Sequence, residues 1–505
     1  MKTWMMKWMA AGALALAGGT TLYLSAGNAF GGAPAIKLAK AEVNVSVNDH
    51  PLTRDSRPTS SFASVVKKTA PSVVNIFTTK KVRNELAMGG NPMFEDPMFQ
   101  QFFGRPFGQN PQQPKTHTQR SLGSGVIVTE DGYILTNNHV VDGADEIRVM
   151  LEKDRREYTA KVVGRDPKTD LAVLRIEAKG LSYATFGNSD NLEVGDIVLA
   201  IGNPFGIGQT VTSGIISAMG RGGMGIEEYE DFIQTDASIN PGNSGGALID
   251  AEGRLIGINT AILSRSGGNH GVGFAVPCNL ARQVMEQLIE FGKVERGFLG
   301  VAIQDLTPEL AKQFSLNDAK GALVGEVTAN SAAAEAGLKD GDIITGINGK
   351  EVRDSRHLRL TVAQLKPGNK VELKLMRDGK EKTVKATLKT LPEARVAAAS
   401  QPNGSTPGEA LDGVAVTDLS PALRQQFKLP PALKGALITD VAPNSASFEA
   451  GLRPGMVLQE INRKSVTSAE DAVNLTKNVK EKQTLVRLWA NGGSRYIVVD
   501  ETKVS

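Results

Sequence analysis

Thr235-Asp-Ala-Ser-Ile-Asn-Pro-Gly-Asn-Ser-Gly-Gly246 is the stretch around which the rest of the chain is organised. A serine hydroxyl becomes a useful nucleophile when a strained, glycine-rich turn holds it out beside a base. In such a turn the backbone N–H groups of Gly242, Asn243 and Ser244 are expected to converge on one point and hold a developing oxyanion. Glycine permits this because it adopts positive φ and lets an acyl carbon come close. An ordinary tight turn between strands would look the same in isolation, so the reading depends on partners elsewhere.

Those partners exist. Thr136-Asn-Asn-His139-Val-Val141 puts a histidine directly after a β-rich run, and Asp170 opens the strand-like Asp-Leu-Ala-Val-Leu174. His139 would take the serine proton and return it to the leaving amine, while Asp170 would fix the imidazole tautomer and stabilise its protonated form. The order His139, Asp170, Ser244 is that of chymotrypsin-type triads, not of subtilisin or the α/β-hydrolases. His50, His117, His270 and His357 sit among Gly, Pro, Thr, Asn or charged residues, where a solvated side chain is the ordinary reading. The three residues together read as a serine endopeptidase.

Short β-type runs with turn signals surround this set. They begin at Val73–Thr78 and continue through Gly125–Thr129, Tyr133–Thr136, Ile147–Leu151, Lys161–Gly164 and Leu171–Ile176. A second series is Ile197–Ile201, Val211–Ser217, Ala247–Ile249, Leu255–Ile262 and Val272–Val276, with Glu130-Asp131-Gly132 and Ala251-Glu252-Gly253 as hairpin turns. This spacing predicts a mainly β fold with two six-stranded barrels. His139 and Asp170 would come from the first barrel and Ser244 from the second, with the site in the cleft between them. A helix capped by Asn279 and closed by Gly292 would seal the domain.

The C-terminal part repeats itself. Ser331-Ala-Ala-Ala-Glu-Ala-Gly-Leu-Lys-Asp-Gly341 aligns with Ser445-Ala-Ser-Phe-Glu-Ala-Gly-Leu-Arg-Pro-Gly455 at an offset of 114 residues. An offset that long indicates two duplicated domains, not a solenoid.

The 505 residues suggest three or four domains of roughly 150 residues each. Hydrophobic content of 41% and charged content of 22% suit a globular chain with ample core. Lys2 and Lys7 supply two of the formal charges behind a net +3, a balance that points to no nucleic-acid partner. Residues 1–29 read as an export signal, the uncharged run Trp8–Leu24 being followed by small residues at Gly27 and Ala29. An uncleaved anchor is the alternative. The sole cysteine, Cys278, cannot form an intramolecular disulfide and is expected to be buried and inert. No phosphate-binding loop or cluster of metal-ligand residues is evident, so neither cofactor nor metal is expected.

The three motifs and the tandem repeat, from about Phe62 to the C-terminus, resemble the HtrA serine proteases of the DegP/DegQ type. The resemblance implies a chymotrypsin-like double six-stranded β-barrel protease domain at residues 62–293, followed by two PDZ domains at 294–391 and 412–505. Residues 30–61 would be an N-terminal segment and 392–411 a flexible linker. Residues 81–120 match a long loop that regulates a neighbouring subunit's active site in the family; disorder is the competing reading. Arg221 matches an activation-loop arginine, with a solvated arginine as the competing reading. Gly271–Val276 resembles the strand along which substrates lie, and Ile239, Ile262 and Val272 would make a shallow apolar pocket for small apolar side chains. Such a pocket separates side chains by only about 1–3 kcal/mol per methylene, so broad selection is expected.

In the first PDZ domain, Arg296-Gly-Phe298-Leu299-Gly300-Val301 looks like the loop that captures a peptide carboxylate. The second has Gly413-Val-Ala-Val416 there and lacks the Leu-Gly pair. The function implied is an ATP-independent periplasmic endoprotease for unfolded or misfolded envelope proteins, gated by peptides with apolar C-termini. Expected assemblies are homo-oligomers built from trimers, with larger cages and membrane-surface association as further expectations. Two alternatives stay open: a holdase chaperone with minor proteolysis, and a site-specific signalling protease.

Overall fold

The computed structural model describes residues 43–54, 61–83, 116–203, 208–262, 269–390, 408–409, 411, 413–476 and 483–502. The expected export signal and most of the expected linker lie outside these residues.

Seven strands form the first sheet: β1 (Val73–Arg83), β2 (Thr116–Ile127), β3 (Tyr133–Asn137), β4 (Glu146–Met150), β5 (Glu157–Thr159), β6 (Lys161–Asp166) and β7 (Leu171–Arg175). Their order is β5-β4-β1-β2-β3-β7-β6. Only Ala160 separates the two end strands, and its N–H still reaches the Ile147 carbonyl at 2.9 Å. The sheet therefore curls into a barrel in which β5 and β6 act as one strand broken by a bend. The strand Glu157–Thr159 was not legible because its alternation is short and mostly polar.

The second barrel is closed. It contains β8 (Ile197–Gly202), β9 (Thr210–Arg221), β10 (Phe232–Thr235), β11 (Ala247–Asp250), β12 (Leu255–Ile262) and β13 (Gly273–Pro277), in the order β10-β13-β12-β11-β8-β9. Phe186, Phe232 and Phe274 are its largest fully buried side chains, and burial of this kind contributes about 1.5–3 kcal/mol per large side chain. The sequence missed β10, which is only four residues long. Segment 43–54 is ordered by contact: Val43 and Val45 pack on the core and Val47 bridges Phe186.

The expected loop 81–120 is shorter at both ends, since β1 runs to Arg83 and β2 starts at Thr116 in one continuous antiparallel ladder. Its middle lies outside the described residues. The helix Cys278–Phe291 buries Leu280, Val284 and Leu288 and ends on Gly292 at φ 70°, a left-handed cap that glycine adopts freely. Its N-cap is Pro277, not Asn279, whose side chain instead donates to Asn188 Oδ1 at 2.8 Å. Cys278 is fully buried, and burial pushes its thiol up to about 11, which suppresses thiolate chemistry.

The two C-terminal repeats share one plan. Ala322–Val327, Ile343–Ile347 and the helix Ser355–Gln364 of the first recur as Ala436–Val441, Val457–Ile461 and Ala469–Thr476 in the second. They differ at one edge. Among the described residues, the edge strand Val301–Asp305 of the first repeat has no outer neighbour in its sheet, whereas Val414–Asp418 of the second is covered by Gly408–Glu409. The last residues of the expected linker thus belong to a sheet. The repeats also touch each other: Arg487 is buried, donates to the Gly325 carbonyl at 2.9 Å and pairs with Asp340 at 2.6 Å. Gln304 bonds the backbone N–H and carbonyl of Tyr496.

Candidate active site

His139 lies in the one-turn helix Asn138–Val141, immediately after β3. Its Nδ1 is 2.7 Å from Asp170 Oδ2, and its backbone N–H donates to Asp170 Oδ1 at 2.9 Å. Asp170 sits just before β7 at φ 55°, a left-handed conformation that aspartate tolerates better than most residues. That geometry turns its carbonyl to the Asn138 N–H at 3.0 Å and to Asn137 Nδ2 at 2.9 Å while the carboxylate faces the imidazole. Both side chains are largely shielded, His139 at 12% and Asp170 at 4% exposure. Hydrogen bonds to an ionised carboxylate in such surroundings are stronger than neutral ones.

Ser244 comes from the second barrel. Its Oγ donates to the Thr260 carbonyl at 3.2 Å, and Thr260 Oγ1 donates to Asp170 Oδ2 at 2.7 Å. Thr260 is therefore shared between the Ser244 hydroxyl and the Asp170 carboxylate. The sequence did not single it out: inside Leu255–Ile262 it reads as one more β-branched strand residue, and only the fold shows that its hydroxyl crosses to the other barrel.

The nucleophile turn carries Gly242 at φ 100° and Gly245 at φ 83°. A Cβ on Gly245 would lie 2.1 Å from the Ser124 carbonyl oxygen, so both the backbone angle and the close approach require glycine. Asn243 leaves the expected trio of oxyanion donors. Its N–H donates to the Asn240 carbonyl at 3.0 Å and closes the turn. The N–H groups of Gly242 and Ser244 have no acceptor among the described residues.

The expected pocket is split. Ile239 is buried and Ile262 packs on the same cluster, but Val272 packs against a different one. Arg221 ends β9 as an exposed side chain whose Nε donates to Gln234 Oε1 at 2.8 Å.

In the first repeat, Leu299 is buried with its carbonyl accepting from the Ala333 N–H at 2.8 Å. Gly300 at φ 82° could carry no side chain, since a Cβ would fall 2.1 Å from that of Ser331. Phe298 is half-buried and Val301 packs on the domain's core. Arg296 corrects the sequence reading. It is 7% exposed, pairs with Asp166 of the protease domain at 2.5 Å and lies 4.7 Å over the Tyr229 ring. A buried guanidinium needs a carboxylate partner, and here that partner is committed within the chain. Thr169 Oγ1 donates to the same Asp166 oxygen at 2.5 Å, so the contact lies directly beside Asp170.

The structure thus brings a hydroxyl, a carboxylate and an imidazole together across two β-barrels, the set of groups that trypsin-like serine peptidases use. Similarity to known proteins narrows this. Residues 123–258 match the trypsin-like peptidase domain and residues 297–388 the PDZ domain. A "Probable periplasmic serine endoprotease DegP-like" of Chlamydia trachomatis serovar D is 42% identical over 450 residues, covering 87% of this chain and 88% of that one. A protein of the same description from Marinomonas sp. is 44% identical over 427 residues, covering 83% and 88%. The structure described as "HtrA-type protease AlgW with decapeptide" is 50% identical with a TM-score of 0.53, covering 66% of this chain and 100% of that one. The chain belongs to the HtrA family of DegP-like periplasmic serine endoproteases.

Proposed function

We propose that Ser244, His139 and Asp170 carry out the peptide hydrolysis of this periplasmic enzyme, on unfolded or misfolded envelope proteins and without ATP. The observation that carries the reading is the linkage from Ser244 through Thr260 to Asp170 and on to His139. His139 takes the Ser244 proton and delivers it to the leaving amine, Asp170 steadies the imidazolium, and the N–H groups of Gly242 and Ser244 hold the oxyanion. The buried Ile239 and its neighbour Ile262 favour small apolar side chains at the cleaved position.

The first repeat takes a peptide with an apolar C-terminus by strand addition. Its open edge Val301–Asp305 and the loop Leu299–Gly300 support this, and Arg296–Asp166 links that loop to the catalytic carboxylate's neighbourhood. The second repeat, its edge covered by Gly408–Glu409, serves assembly into trimers and trimer-built cages. Casein turnover by the mature protein tests the reading, with and without a peptide ending in apolar residues. Turnover is expected to be abolished by Ser244→Ala and raised by the peptide. Turnover that survives Ser244→Ala would overturn it, as would turnover in neither protein together with suppressed aggregation of an unfolded client.

A further inference from the structure

Ser124, in β2 of the first barrel, is fully buried, and every one of its polar groups is engaged. Its N–H donates to the Ser244 carbonyl at 2.9 Å. Its hydroxyl donates to the Gly242 carbonyl at 2.6 Å and accepts from the Asn203 N–H at 3.0 Å. Its own carbonyl accepts from Thr136 Oγ1 at 2.7 Å. One residue of the first barrel thus grips the carbonyls on either side of Asn243 in the second barrel's nucleophile turn.

A peptide plane is rigid, with its C=O and N–H pointing in opposite directions. The plane joining Gly242 to Asn243 is held at both ends, by Ser124 Oγ at its oxygen and by the Asn240 carbonyl at its N–H. The Ser244 carbonyl is held by the Ser124 N–H. With these oxygens fixed, the Gly242 and Ser244 N–H groups, which lack acceptors among the described residues, are set relative to one another. Gly242 at φ 100° has the conformational freedom to turn over if released. Any residue but proline at 124 supplies the backbone N–H; only the hydroxyl supplies the contact to Gly242.

We infer that Ser124 is a positioning residue for the oxyanion hole, its hydroxyl locking the Gly242 carbonyl so that the Gly242 and Ser244 N–H groups are aimed at the reacting carbonyl. This rests on the proposed role of those two N–H groups. Loss of the hydroxyl leaves the Gly242 carbonyl and the Asn203 N–H buried without a partner, which favours rearrangement of the turn. The expected signature is a defect in the transition state with ground-state binding preserved, because the donors act on the oxyanion and not on the resting substrate.

The test is steady-state cleavage of a fluorogenic peptide by the mature protein, Ser124→Ala and Ser124→Cys, alongside binding of a peptide boronic acid that adopts the tetrahedral geometry. For Ser124→Ala, kcat should fall about 100-fold with KM nearly unchanged, and boronate affinity should fall in parallel. Ser124→Cys, a weaker donor of similar size, should lie between. If Ser124→Ala does not fold, as judged by circular dichroism, the cysteine variant carries the same comparison. A folded variant with unchanged kcat, or with its whole loss in KM and full boronate affinity, would overturn the inference. Failure of the underlying triad would appear separately, as turnover retained by Ser244→Ala.

Discussion

Thr260 links Asp170 to Ser244, the proposed nucleophile, so removing its hydroxyl should weaken orientation of the carboxylate without emptying the site. A hydrogen bond to a charged group contributes about 1.5–3 kcal/mol, so Thr260→Ala should lower kcat/KM at least about 10-fold. Thr260→Ser should keep most of the activity, which steady-state kinetics on one peptide will show. At this scale the sequence was legible where a residue sits inside a local signature. Ser244 lies in a glycine turn and His139 follows an apolar strand. Thr260 and Ser124 have no such signature, because each acts across the seam between barrels on a residue distant in the chain. Arg296 was misread for the same reason: its neighbours resemble a ligand loop, but its partner, Asp166, lies 130 residues earlier.

Several contacts join the first repeat to the protease domain, among them the packing of Tyr229 with Leu360 and Ala363 and two arginine contacts. Arg296 reaches Asp166, and Arg356 of the helix Ser355–Gln364 donates to the Gly220 carbonyl at the end of β9. Removing one partner of a buried ion pair leaves the other uncompensated, at about 3–5 kcal/mol. Arg296→Met should therefore abolish stimulation of turnover by an apolar-ended peptide while that peptide's affinity, measured by fluorescence anisotropy, is unchanged. Reduced affinity would return Arg296 to the peptide site. The segment after β9 adds a pH dependence. Buried Glu230 accepts backbone N–H groups from Met224, Ile226 and Glu227. Burial first, then the charges of Asp170, Glu230 and Asp166, push Glu227 up to about 8 from its ordinary 4.5. The folded state thus holds this proton more tightly than the unfolded state, so stability from this group is full below about 4.5 and is lost as pH rises to about 8. Glu227→Gln should flatten that decline in urea midpoints taken between about pH 5 and 9. The elements themselves were largely legible from alternation and turns. Of the barrel strands, the missed β5 and β10 are too short or too polar to carry a period, and the short helix Ala63–Thr69 was not assigned either.

Across the whole molecule, the two repeats are held by Arg487, Gln304 and the edge-on contact of Phe314 with Tyr496, whose ring centroids are 5.5 Å apart. Trp489 lines a cavity of about 390 Å³ between them with Glu326, Asp340 and Arg487. It is the one tryptophan downstream of residue 29, so its emission in the mature protein reports this junction. Tyr496→Ala should shift that emission to the red as the junction opens to water; an unchanged spectrum would show that the repeats stay docked without Tyr496. The repeat itself was legible from its 114-residue offset, but the different fates of the two edge strands were not. Those depend on where Gly408–Glu409 folds back, and a stretch rich in Ala, Ser, Pro and Gly gives no period from which to read it.

One hydroxyl, that of Ser244, activated by one imidazole, that of His139, is expected to perform the chemistry. Labelling the mature protein with a fluorophosphonate and locating the adduct by mass spectrometry tests it most directly. A single adduct per chain on Ser244, lost in His139→Ala while that variant stays folded, is the expected result. Casein cleavage that persists with no adduct on Ser244, or an adduct formed equally well without His139, would contradict it.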